Sequence, residues 1–100
     1  MKLTFSIERC LSESQIITLS GRNAWALKSM IEAGKRGCSP IDTPGPRWSA
    51  YVHNLRHEYH IDIQTINESH TGQFPGRHAR YVLRSNVRLL EREFDDAKAQ

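Results

Sequence analysis

Pro46-Arg-Trp-Ser-Ala-Tyr-Val-His-Asn-Leu-Arg-His-Glu-Tyr59 is the stretch that decides how the chain is read. Trp48, Tyr51, Val52, Leu55 and Tyr59 recur at steps of three and four, which at ~100° per residue sets them on one stripe. Proline suits the first turn of a helix, where its missing N–H would have no partner anyway. The spacing therefore predicts a helix over 46–59. Its opposite face carries Ala50, His53, Asn54 and His57, flanked by Arg47 and Arg56. That face has little apolar bulk and many hydrogen-bonding groups. Such a helix packs with one side and reads a polar surface with the other.

Upstream, Pro44-Gly45-Pro46 forces a turn, because each proline pushes its predecessor out of the helical region. Ser39-Pro40-Ile41-Asp42-Thr43 is expected to form a one-turn helix, capped by Ser39 with Pro40 at its first position. Two helices joined this tightly make a helix-turn-helix. Before them, Ser20 to Gly34 is predicted as the first helix, with Ser20 or Asn23 as its N-cap. Ala24, Leu27, Met30, Ile31 and Gly34 share a face, and Gly34-Lys-Arg-Gly37 is a stop signal. Trp25 falls off that stripe, and the expected cover for its indole is the N-terminal hairpin or the C-terminal tail.

Downstream, Ile61 and Ile63 alternate with Asp62 and Gln64, so a strand follows. Residues 67–78 hold Gly72, Pro75 and Gly76 and are expected to be a loop. Ala79 to Arg84 returns as a strand, with Tyr81 and Leu83 on one side and Arg80, Val82 and Arg84 on the other. Two strands around such a loop make a hairpin of the kind called a wing, whose tip offers Arg77 and His78 with Arg80 close behind. At the start of the chain, Leu3, Phe5 and Ile7 alternate with polar residues, and Ile16 to Leu19 is a second β-prone run. These predict an N-terminal hairpin. At the other end, Ser85 or Asn86 caps an expected helix over 85–98. Val87, Leu90, Phe94 and Ala97 would form its apolar seam. Such a seam folds onto the domain or pairs two copies through Val87, Leu90 and Phe94, since so short a helix does not hold alone in water.

One hundred residues argue for a single small domain, 1–100, divided as 1–19, 20–84 and 85–98. An apolar fraction of 38% and a charged fraction of 25% are ordinary for a soluble protein. No apolar run reaches membrane-spanning length and the first residues lack a signal-peptide core, so a cytoplasmic protein without membrane association is expected. The net charge is only +3, but its distribution is uneven. From Arg22 to Arg88 there are ten Lys/Arg against five Asp/Glu, and all five histidines lie there too. The acids Glu91, Glu93, Asp95 and Asp96 gather in the tail. A local basic surface suits a polyanion. Cys10 and Cys38 are the only cysteines and are expected to be free thiols.

The order helix, short helix, reading helix, strand, wing, strand resembles that of winged helix-turn-helix domains, in particular small bacterial and phage proteins of that superfamily. Ala33-Gly34, Ser39-Pro40, Leu55-Arg56 and Asp62-Ile63-Gln64-Thr65 carry the resemblance, over roughly Arg22 to Arg84. It implies an α+β fold: a three-helix core with a β-hairpin wing, here preceded by the N-terminal hairpin and followed by the C-terminal helix. It also implies a transcriptional regulator that binds double-stranded DNA, with helix 46–59 in the major groove and wing 67–80 on the backbone or minor groove. The residue chemistry agrees. Asn54 suits adenine, Ala50 a thymine methyl, and Arg47 guanine or phosphate. Ser49, His53, Arg56 and His57 would donate to bases or phosphates. Arg77, His78 and Arg80 would set position rather than sequence. The alternative is a winged-helix module that docks another protein, since fold does not fix function. Its marker would be an exposed apolar patch at Trp48, Tyr51 or Phe74.

Other chemistries have little support. His53 and His57 stand at i and i+4, a spacing that can hold zinc, but neither a nearby cysteine pair nor a His-Glu-x-x-His motif accompanies them. No metal, cofactor or small-molecule substrate is expected. Asp42, Glu58 and Asp62 form no recognisable carboxylate pair, and no nucleophile or phosphate-loop motif appears, so the chain is not read as an enzyme.

Overall fold

The computed structural model describes residues 2–9, 13–45, 47–70 and 76–92. Alternation at the start of the chain produces two strands, β1 (Lys2–Glu8) and β2 (Ser14–Ser20), paired antiparallel from Lys2↔Ser20 to Glu8↔Ser14. Leu3, Phe5 and Ile7 on β1 and Ile17 and Leu19 on β2 are buried. Ser20 then occupies the N-cap position of α1 (Gly21–Ala33) without a side-chain capping bond. Ala24, Ala26, Leu27 and Met30 form the buried stripe of α1. A 3-10 turn over Gly34–Arg36 ends the helix.

Residues 39–43 depart from the expected short helix. Ser39 does cap: its Oγ accepts the Ile41 and Asp42 amides at 3.2 and 3.1 Å, and the Thr43 amide donates to the Ser39 carbonyl at 2.8 Å. That is one closed turn, and Pro44 prevents a second. The described residues therefore hold two α-helices rather than three, and the turn takes the place of the middle one.

The reading helix is α2 (Trp48–Tyr59), with Arg47 at its N-cap. Pro46 lies outside the described residues. Trp48, Tyr51, Val52 and Leu55 are buried and Tyr59 packs at the edge of the core, as the stripe predicts. The far end of α2 is held from the N-terminal hairpin. The Arg9 guanidinium donates to the Tyr59 and His60 carbonyls at 2.7 and 2.8 Å, a cation set against the carbonyl end of the helix.

Strands β3 (Ile63–His70) and β4 (Gly76–Leu83) form the wing, paired antiparallel from Ile63↔Leu83 to His70↔Gly76. The ladder runs farther than the sequence suggests, and residues 71–75, Phe74 among them, lie outside the described set. A single-residue bridge joins Cys38 to Tyr81, with the Cys38 amide on the Tyr81 carbonyl at 2.9 Å and the reverse bond at 2.8 Å. It fixes the wing to the segment after α1. Cys38 is a free thiol, and burial pushes its pKa up. Cys10 is outside the described residues.

The end of the chain corrects a second expectation. Residues 86–92 are not a helix but a strand, β5 (Asn86–Arg92), antiparallel to β1 from Glu8↔Asn86 to Leu3↔Arg92. The sheet order is β2-β1-β5, so segments 1–19 and 85–92 share one sheet. Val87 is 7% exposed and Leu90 47%, so the two do not form one apolar seam, and the helical route to a homodimer is lost with it. Phe94 and Ala97 lie outside the described residues.

Trp25 is half-buried, and the cover the structure describes comes from α2: the Trp25 ring lies 5.2 Å from Trp48 and 6.3 Å from Tyr51. The tail beyond residue 92, one of the two covers expected for Trp25, lies outside the described residues. Trp48 also stacks on Tyr81 at 6.2 Å and donates its indole N–H to the Thr43 carbonyl at 2.8 Å. One aromatic cluster thus joins α1, the turn, α2 and the wing.

Candidate nucleic-acid interface

Packing the apolar stripe of α2 against α1 and the wing turns its other face outward. Ser49, His53 and His57 are exposed there, and Ala50 and Asn54 are half-buried. The His53 and His57 rings lie 4.3 Å apart. Among the described residues no group of three or more His, Cys, Asp or Glu is gathered to hold a metal. Asn54 is steadied from α1: its side-chain Nδ2 donates to the side-chain Oδ1 of Asn23 at 3.4 Å. Arg47 is exposed at the head of the helix in the left-handed region, at φ 65° and ψ 38°.

Arg56 is engaged differently. Its guanidinium donates to the Ile63 carbonyl at 2.5 and 3.2 Å and to the Thr65 hydroxyl at 2.6 Å. The Leu55-Arg56 and Ile63-Gln64-Thr65 motifs therefore have a structural meaning. Leu55 enters the core, and Arg56 latches the end of α2 to the start of the wing.

The wing residues also divide. Arg77 is exposed near the tip. Arg80 is bound on several sides: Nε donates to Glu68 at 2.8 Å, and Nη1 meets Asp42 at 2.6 Å and the Arg36 carbonyl at 3.1 Å. His78 joins this network through Glu68 at 3.1 Å. The cluster fastens both wing strands to the capped turn at 39–43. The Arg80 hydrogen bond holds the Glu68 carboxyl below the ordinary range, with His78 adding to it against the opposing effect of partial burial. A carboxyl depressed on folding stabilises the folded state above its unfolded pKa, and the contribution fades as pH falls through the folded value. The fastening is thus complete at neutral pH and is expected to loosen in acid, below the usual carboxylate range near ~4. Amide exchange should show β3 and β4 losing protection before α1. Glu68→Gln should remove that step; a step that persists in the variant would assign it to another group.

Three contributors went unnoticed in the sequence. Ser20, Arg22 and Asn23, at the start of α1, line a cleft of about 340 Å³ together with Arg47, Ala50, Tyr51 and Asn54. Ser20 and Asn23 stood out only as possible helix caps, and Arg22 lay 25 positions from Arg47, with nothing local to link them. Of the ten sequence-predicted site residues, the fold sets Arg47, Ser49, Ala50, His53, Asn54 and His57 on or beside one surface of α2. It sets Arg77 apart on the wing and gives Arg56, His78 and Arg80 partners within the protein.

No helix among the described residues is long and apolar enough to cross a membrane. Searches of curated proteins and of solved structures each give no match. A family model described as "Winged helix domain" matches residues 16–93, which takes in α1, the turn, α2, the wing and β5. With the hairpin wing, the helix-turn-helix order and this match over most of its length, the chain belongs to the winged helix domain family.

Proposed function

We propose that this domain binds double-stranded DNA as a small transcriptional regulator, with α2 in the major groove and the wing on the backbone or minor groove. The observation that carries the reading is the outward face of α2. Across its first three turns that face presents hydroxyl, amide and imidazole groups and one small methyl, with no acid before Glu58. Major-groove base edges are read by such groups. Membership of the winged helix family supports the same reading.

Fluorescence anisotropy with labelled duplexes across a salt series, followed by selection from a random pool, tests it. Affinity should fall steeply with salt, and a motif should be enriched. Asn54→Ala should cost about 1–3 kcal/mol on the selected site and little on random DNA. Arg77→Ala should weaken all sequences alike and flatten the salt slope by about 0.9. Arg80→Ala should change the slope less, because its guanidinium already serves Glu68 and Asp42. Equal losses from Asn54→Ala on both DNAs would remove Asn54 from base reading.

Protein docking has weaker support. Trp48 and Tyr51, two of its three marker residues, are 2% and 8% exposed, so neither forms an open apolar patch.

A further inference from the structure

Two surface depressions are lined by polar groups, and charge separates them. The larger, about 470 Å³, lies on the three-stranded sheet, where Arg88 shares the lining with Glu8 and Glu13. The cleft between α1 and α2 holds two arginines, Arg22 and Arg47, and no acid. Neither arginine has an ion-pair partner among the described residues.

Arg22 is held in place by aromatic rings. Its guanidinium carbon lies 4.2 Å from the Trp25 ring centroid and 5.8 Å from that of Tyr51, and Nε donates to the Tyr51 hydroxyl at 3.3 Å. Gly45 closes the other side, since a Cβ there would fall 2.6 Å from Trp25 and 3.3 Å from an Arg22 terminal nitrogen. The two terminal amino groups of Arg22 make no hydrogen bond to the described residues. Arg47 occupies a position where a serine or aspartate would cap the helix, in a conformation that suits glycine. The aromatic stack accounts for where Arg22 lies but leaves its two terminal amino groups uncommitted, and the backbone at position 47 does not favour an arginine. A tetrahedral oxyanion with two free oxygens answers both, because a guanidinium fork matches such oxygens and Arg22, fixed in advance, loses little freedom on binding.

The geometry points to the Arg22–Arg47 cleft as the seat of one DNA backbone phosphodiester, with Ser20, Asn23 and Asn54 as neighbouring polar groups. This rests on the DNA-binding reading and extends it to α1. The cleft opens beside Ala50 and Asn54, so a phosphate held there fixes where the reading face sits along the groove, as backbone contacts do.

The test compares Arg22→Gln, Arg47→Gly and Arg88→Gln by anisotropy on a mixed-sequence duplex at several salt concentrations. Each cleft variant should flatten the plot of log affinity against log salt by about one unit, equally on all sequences, while Arg88→Gln keeps the parent slope. Arg47→Gly also relieves the left-handed conformation, so it reads the cleft even if Arg22→Gln disturbs the stack on Trp25. Parent-like slopes in both cleft variants, with the parent binding, would overturn the seat and leave DNA binding standing. A loss confined to Arg47→Gly would overturn the shared seat. No binding by the parent at the lowest salt would overturn DNA binding and the seat together.

Discussion

Gly37→Ala is expected to lower the stability of the domain by roughly 3–5 kcal/mol, the sum of a backbone penalty and a clash. Gly37 sits at φ 73° and ψ −176°, a region almost reserved for glycine. A Cβ there would stand 2.7 Å from the Tyr81 carbonyl oxygen and 2.8 Å from a Val82 methyl. The oxygen belongs to the backbone of β4 and already accepts the Cys38 amide, so it cannot withdraw without breaking the bridge that fixes the wing. Gly34 is the internal control. It also has positive φ, at 60°, but nothing lies within 4 Å of its Cβ position, so Gly34→Ala should cost only the backbone part, about 1–3 kcal/mol. Urea melts of the two variants separate the effects. Equal losses would mean that the close approach of Gly37 to β4 contributes nothing.

Leu55→Ala is expected to cost about 2–5 kcal/mol, because Leu55 is fully buried in the core that α2 shares with the rest of the domain. A small domain has only about 5–15 kcal/mol in total, so this variant should be partly unfolded at moderate temperature. Any loss of DNA binding should then track the unfolded fraction and recover on cooling toward the stability maximum. Asn54→Ala, one residue away at the half-exposed edge of α2, should melt closer to the parent and lose binding to the selected site at every temperature. An unchanged melting curve for Leu55→Ala would contradict its burial.

Most of the fold was legible because its elements announce themselves locally. The alternation of Leu3, Phe5 and Ile7, the stripe from Trp48 to Tyr59 and the glycines and proline of the wing loop each name one structure. The failures share a physical cause. Residues 86–92 contain Leu89 and Leu90 side by side, which breaks the alternation of a strand, and Leu, Glu and Arg favour helix. Pairing with β1 decides the matter, with an irregular step in register opposite Thr4 and Phe5 that accommodates the adjacent leucines. Such a partner, distant in sequence, leaves no local trace. The cover of Trp25 was hidden in the same way, since it comes from Trp48 and Tyr51 on another helix. At the candidate interface, the face of α2 followed from periodicity alone. The partners that occupy Arg56 and Arg80, and the cleft that recruits Arg22, arise only when separate elements meet.

The sheet order β2-β1-β5 sets when the domain can finish folding. Among the described elements its middle strand comes first in the chain and one of its outer strands last, with Glu8 and Asn86, 78 positions apart, joined side chain to side chain. Contacts that close so long a loop are slow to form. On the ribosome, α1, α2 and the wing all emerge before β5 can reach β1, so one edge of β1 stays open until β5 has been made. An open strand edge is a template for another chain. Pairing of that edge with another chain before β5 arrives is the hazard this strand order carries.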